Sequence, residues 1–206
     1  MFLKSIPNWV QKIFKSYIWK MPATPDSYDI FLTFDDGPHP EITPWVLSQL
    51  KEYQANATFF CIGKNVVEFP DVYQQILNEG HTVGNHTHQH LKGRKTDEDI
   101  YIADILQAQK FIDSKLFRPP YGSINRLQTK KLKELGFKII LWNIIPGDWD
   151  KSISSEKCLE NIIFSITPGS IIVLHDSEKA QSNMEYVLPR LLEYGKKKNW
   201  KFKSIV

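Results

Sequence analysis

Short apolar runs alternate along the chain with longer stretches in which apolar positions recur every three or four residues. The runs at 29–35, 57–62, 81–85, 116–119, 138–143, 170–175 and 201–205 read as strands. Between them, 42–53, 66–78, 97–114, 126–135, 155–165 and 184–197 carry helical spacing. This alternation predicts βαβ units and a parallel sheet. Asp35, His86, Arg118, Asp148 and His175 all fall at or just past the C-terminal end of a predicted strand. A closed (β/α) barrel would bring those ends to one face.

Candidate chemistry is concentrated at these ends. Asp35 and Asp36 stand side by side directly after Ile30-Phe31-Leu32 and before Gly37-Pro38. Successive strand side chains point to opposite faces, so both carboxylates reach one site only if the chain bends there, and Gly37-Pro38 is expected to supply the bend. In Asn85-His86-Thr87-His88-Gln89-His90, His86 and His90 are four apart. A helical turn here would aim both rings at one metal ion, with a carboxylate as third ligand and His88 pointing elsewhere. Such a set leaves a coordination position open, as catalytic metals require. Zinc is the expected ion, and cobalt, nickel, manganese or iron would also accept these nitrogen and oxygen donors. Three further segments end in polar or aromatic groups: Phe117-Arg118-Pro119-Pro120-Tyr121-Gly122, Trp142 to Trp149 through Asp148, and Ile171 to Asp176 through His175. His39 is expected in an exposed turn, and His81 at the start of a strand.

Five features occur in order: the double Asp, the His86/His90 pair, Arg118 to Gly122, Asp148-Trp149, and Leu174-His175. From about Asp29 to the C-terminus they resemble the polysaccharide deacetylases of the NodB-homology type, carbohydrate esterase family 4. Two positions depart from the family pattern: Ile145 stands where an Asp is usual, and Val173 where a Leu is usual. The resemblance implies a single-domain α/β fold, a distorted (β/α)7 barrel related to the TIM barrel. It also implies a metal-dependent hydrolase that removes acetyl groups from N-acetylglucosamine-type carbohydrate. By motif, Asp36, His86 and His90 correspond to the metal ligands, Asp35 to the general base and His175 to the general acid. Tyr121 would offer its backbone N–H to the oxyanion. Arg118 would orient Asp35, while Asp148 would pair with either His175 or Arg118. Leu174, Val173, Trp142 or Trp149 would form the acetyl pocket. Other readings are hydrolysis of a different C–N bond, such as a ureide or cyclic amide, and a metal-containing carbohydrate-binding domain without turnover. The retained acid and base argue against the last.

Composition narrows the picture further. The 206 residues, 42% hydrophobic, suit one sizeable core. A net charge of +3 does not nominate nucleic acid as a partner. Cys61 and Cys158 are too few for a disulfide framework. Segment 1–25 precedes the 26–206 domain and carries an apolar stripe, Trp9, Val10, Ile13, Phe14, Tyr17 and Ile18, flanked by Lys4, Lys12, Lys15 and Lys20. It is expected to pack on the barrel, closing its floor; lying on an anionic membrane surface is the alternative. No apolar stretch has the length of a secretory or spanning segment, so a cytoplasmic location is the default expectation.

Overall fold

In a computed structural model that describes residues 9, 11, 14–24 and 26–206, seven parallel strands curl into a barrel with helices outside. The strands are β1 (Asp29–Asp35), β2 (Ala57–Cys61), β3 (Thr82–Asn85), β4 (Leu116–Phe117), β5 (Lys138–Ile139), β6 (Ile171–His175) and β7 (Lys201–Phe202). The order is β5-β4-β3-β2-β1-β6, and β7 pairs with Asp29 and Ile30 at the lower end of β1. The helices are α1 (Ile42–Glu52), α2 (Gly63–Glu68), α3 (Pro70–Asn78), α4 (Glu98–Gln109), α5 (Arg126–Glu134), α6 (Ser155–Ile163) and α7 (Gln181–Lys197).

Most strand positions are buried because both faces of the sheet are covered. Along β1, Ile30, Leu32 and Phe34 join the main apolar cluster with α1 and α7. The alternate residues Phe31, Thr33 and Asp35 belong to the barrel interior. There Phe31, Phe60, Leu116, Ile140 and Ile171 form an apolar layer at the lower end. Above it sits Arg118, the largest fully buried side chain, stacked 4.0 Å over the Phe60 ring. Gly84 makes room for this layer, since a Cβ there would lie 2.5 Å from the Phe60 ring.

Several elements are shorter than the apolar pattern predicts. Strand β4 stops at Phe117, ahead of Pro119 and Pro120, which have no N–H to give a ladder. The helix predicted over 66–78 is two helices broken at Phe69, and Pro70 opens the second. Strand β5 covers only Lys138–Ile139; beyond it Ile140 N still donates to Phe117 O (2.8 Å), and its other edge pairs with Ile18.

The same pairing closes the seam between β5 and β6. Ile18 donates its N–H to Ile139 O (2.9 Å) and accepts from Leu141 N (2.8 Å), and Met21 N donates to Gly169 O (2.9 Å). Ile144 bridges in parallel to Ile172 on β6. Ile18 and Met21 also pack on the interior apolar layer. In the predicted N-terminal stripe, Val10 and Ile13 lie outside the described residues, as do Lys4 and Lys12. Cys61 and Cys158 are both buried free thiols.

Candidate active site

Strand parity aims four side chains into the upper barrel. Counting alternate residues inward from Phe31, Gly84, Leu116 and Ile171 leads to Asp35, His86, Arg118 and His175. Asp35 lies directly opposite His175 in the β1/β6 register. Asp36 would face outward on a continued strand. Its backbone instead turns at a left-handed φ of 82°, so the bend begins at Asp36 itself rather than at Gly37-Pro38. Its Oδ1 then comes 3.1 Å from His90 Nε2 and 3.6 Å from His86 Nε2.

The two histidines meet without a helical turn. Thr87 (φ 66°) and His90 (φ 57°) are both left-handed, so residues 86–90 form a loop and the helical expectation fails. The loop is fixed by its own polar atoms: Thr87 N donates to Asn85 Oδ1 (2.8 Å), and Leu91 N donates to Thr87 Oγ1 (3.2 Å). From α4, Asp104 Oδ2 accepts the backbone N–H groups of His88 (2.7 Å) and Gln89 (3.1 Å). The His88 ring turns away and stacks on Phe111.

Residues 62–65 join both ligand loops. Ile62 N donates to Gly37 O (2.9 Å) and Asn65 Nδ2 to Asp36 O (2.8 Å). Gly63 N donates to Thr87 O (2.9 Å) and Lys64 N to His88 O (3.2 Å). On the other side, the buried Asp176 carboxylate accepts Gly37 N (3.1 Å) and the Thr43 hydroxyl (2.5 Å). That carboxylate occupies the space a Cβ on Gly37 would need, so the turn requires glycine. Burial pushes Asp176 up to about 7.

The donor set of Asp36, His86 and His90 fits a metal ion. One ligand atom from each lies within 4.8 Å of the others. His86 Nδ1 sits 2.8 Å from Arg118 O, an oxygen that can only accept, so Nδ1 carries the proton and the Nε2 lone pair faces the Asp36 carboxylate. A lone pair and a carboxylate facing each other call for a cation between them. Burial lowers the His86 imidazole to about 4, which keeps that lone pair available. Burial alone would raise Asp36, but the His90 hydrogen bond and the surrounding rings outweigh it and hold the carboxyl below the usual range.

Two charged pairs flank this set. Arg118 Nη1 donates to Asp35 Oδ1 (2.6 Å) and Thr33 Oγ1 (2.7 Å), while Nε and Nη2 donate to Ile140 O and Leu141 O. Asp148 accepts the His175 backbone N–H at Oδ2 (2.7 Å) and the ring Nδ1 at Oδ1 (3.0 Å). Asp148 thus pairs with His175, not Arg118. Burial opposes charge on His175, yet Asp148 overcomes it and pushes the imidazole up to about 9.

The cavity above is about 580 Å3 and is also lined by Tyr121, Trp142, Ile145 and Trp149. Trp149 meets the His175 ring edge-on at 4.9 Å. Tyr121 is left-handed (φ 59°), and its hydroxyl lies 3.2 Å from His90 Nδ1. Leu174 is placed elsewhere, fully buried in the main apolar cluster, because it alternates with His175 on β6. Val173 does not line the cavity either, so its apolar wall is Trp142, Ile145 and Trp149. His39 caps α1, its Nδ1 accepting from Glu41 and Ile42 N (3.2 Å each), and His81 Nδ1 accepts from Ala57 N. Asp104, Asn65, Asp176 and Lys179 were not singled out by sequence; only their proximity in the fold marks them.

Fold and site together define a parallel (β/α)7 barrel with a two-histidine, one-carboxylate centre between an Asp–Arg and an Asp–His pair. The sequence profile of the polysaccharide deacetylases matches residues 23–140. A peptidoglycan-N-acetylglucosamine deacetylase of Bacillus cereus is 33% identical over 199 residues, covering 91% of this chain and 70% of the relative. A chitooligosaccharide deacetylase of Azorhizobium caulinodans is 37% identical over 162 residues, 74% of this chain and 76% of the relative. Among solved structures, the Bc1960 peptidoglycan N-acetylglucosamine deacetylase superposes with a TM-score of 0.86 at 32% identity, covering 97% of this chain and 95% of that one. The chain belongs to the polysaccharide deacetylase family, the NodB-homology group of carbohydrate esterase family 4.

Proposed function

We propose that this protein is a metal-dependent hydrolase that removes N-acetyl groups from N-acetylglucosamine-type carbohydrate. The observation that carries the reading is the Asp36/His86/His90 donor set between Asp35–Arg118 and His175–Asp148. Relatives named for deacetylating peptidoglycan and chitooligosaccharide support it.

Asp36, His86 and His90 would hold a divalent cation, zinc first and cobalt, nickel or manganese as alternatives. When bound, such an ion supplies Lewis acidity that brings the pKa of water toward neutrality and polarises the acetyl carbonyl. Asp35, held by Arg118, accepts the proton of the water that attacks the acetyl carbon. The Tyr121 backbone N–H steadies the oxyanion. His175, kept protonated through neutral pH by Asp148, gives its proton to the amine nitrogen as the C–N bond breaks. The products are acetate and the free amino sugar. Trp142, Ile145 and Trp149 supply the apolar wall for the acetyl methyl and the sugar face.

The test is acetate release by stripped protein, with single metals restored, from N-acetylated sugars, polymers and cyclic amides or ureides. Asp35→Asn should keep the metal and lose about a hundred- to ten-thousandfold in rate. Full activity in Asp35→Asn, or turnover of ureides but of no N-acetyl sugar, would overturn the reading.

A further inference from the structure

Among the described residues three carboxylates are buried, Asp35, Asp148 and Asp176, and the mechanism uses the first two. Asp35 has Arg118 as its cation and Asp148 has His175. Asp176 is 1% exposed, and among the described residues no lysine, arginine or histidine nitrogen comes within 4.0 Å of its carboxylate. Burial opposes its ionisation, and so does the nearby Asp36 charge. A buried carboxyl without a cation costs stability, so what it holds must be sought among its hydrogen bonds.

Those bonds all go to the chain around Asp36. Oδ1 accepts the Gly37 N–H (3.1 Å), and on the other side Asn65 Nδ2 donates to Asp36 O (2.8 Å), so the Asp36–Gly37 peptide unit is held at both its polar ends. Oδ2 accepts the Thr43 hydroxyl, whose oxygen in turn accepts the His39 N–H (2.8 Å). The Asp176 backbone N–H donates to Asp35 O (3.2 Å). One buried residue just past β6 thus braces the chain from Asp35 to His39. Asp36 needs that brace, because its φ of 82° is left-handed, a conformation that an aspartate keeps only where its surroundings impose it. The direction of its side chain follows from that turn. A side chain without acceptors at 176 would leave the Gly37 N–H and the Thr43 hydroxyl unpaired in the interior.

We propose that Asp176 is a positioning residue for the metal centre: through Gly37 and Thr43 it imposes the turn that brings the Asp36 carboxylate to His86 and His90. The inference rests on the reading of those three side chains as metal ligands and adds a residue that acts on them through the backbone. The test titrates zinc into stripped wild type, Asp176→Ala, Asp176→Asn and Thr43→Val, and records the visible absorption of each with cobalt and the Tm of each without metal. Asp176→Ala should bind zinc about ten- to hundredfold more weakly and change the cobalt absorption band. Asp176→Asn keeps an acceptor for the Gly37 N–H, so it should return the affinity to within about threefold of wild type and restore the band. Thr43→Val removes one of the two bonds to the carboxylate and should weaken zinc about two- to tenfold. A side chain that served packing alone would lower the Tm in Asp176→Ala but leave zinc affinity and the cobalt band of the folded protein unmoved, and that result overturns the inference. An Asp176→Asn protein as weak as Asp176→Ala overturns it too. If Asp176→Ala does not fold, Thr43→Val decides, and an unmoved affinity there overturns it. If wild type binds neither ion, the ligand reading falls and this one with it. Zinc binding that responds as expected, without acetate release from any N-acetyl sugar, supports this inference and overturns only the deacetylase reading.

Discussion

Arg118, fully buried, holds Asp35 at 2.6 Å, so neither charge can be removed alone without stranding the other. Arg118→Met should destabilise the fold by about 3–5 kcal/mol, read as a shift in the denaturant midpoint. A loss under about 1 kcal/mol would mean that the pair contributes little to the fold. His175 is tuned the other way. Its pKa of about 9 lies above the ordinary 6.5, so whatever stability its proton contributes is full below about pH 6.5 and lost as pH rises toward 9. On the proposed mechanism the same proton serves the leaving amine, so the rate should fall on the alkaline side. Asp148→Asn removes the charge that raises His175 and should move that alkaline limb to lower pH; an unmoved limb would assign it to another group. At this scale the motifs made the positions of Asp35, Asp36, His86, His90, Arg118 and His175 legible: four of them, Asp35, His86, Arg118 and His175, follow inward strand parity, whereas Asp36 and His90 reach the site through left-handed backbone. Leu174 was misjudged because adjacency to His175 in sequence means the opposite face in a strand. The partner of Asp148 depended on how the chain after β5 folds back, which spacing does not encode.

At the scale of elements, the ligand loops owe their shape to other segments. Residues 62–65 hold the Asp36 loop and the histidine loop together, and Asp104 grips the latter from α4. Asn65→Ala and Asp104→Ala should each weaken metal binding by about ten- to hundredfold, measured by titrating zinc into stripped protein. Unchanged affinity in both would show that the loops keep their shape unaided. None of this was visible in the sequence, where the four-residue histidine spacing suggested a helix. The left-handed Thr87 and His90 reach the same convergence through side-chain hydrogen bonds that periodicity cannot report. Element type was largely legible because apolar runs and helical spacing alternate clearly. Element length was less so, for proline cut strands and helices short.

For the whole molecule, the strand–helix alternation anticipated a parallel sheet with its chemistry at the strand ends, and the family resemblance implied that the sheet closes into one distorted barrel. The proposed metal ligands sit on loops above that barrel, not in its apolar layers. Stripping the metal should therefore abolish turnover while far-ultraviolet dichroism and a cooperative thermal transition persist. Loss of the transition would make the ion structural. What the sequence concealed was the seam, because nothing local marks Ile18 as a partner for residues more than a hundred positions away. A barrel whose gap is sealed by a separate stretch of chain is divisible. Without residues 1–24 the remainder loses four backbone hydrogen bonds among the described residues and the cover of Ile18 and Met21, which costs about 3 kcal/mol or more and about 6–12 °C in Tm. A synthetic peptide of residues 9–24 should then dock on the truncated protein and restore that Tm in a dose-dependent way. The barrel would thus become a two-piece sensor, with the melting temperature of the larger piece as its signal.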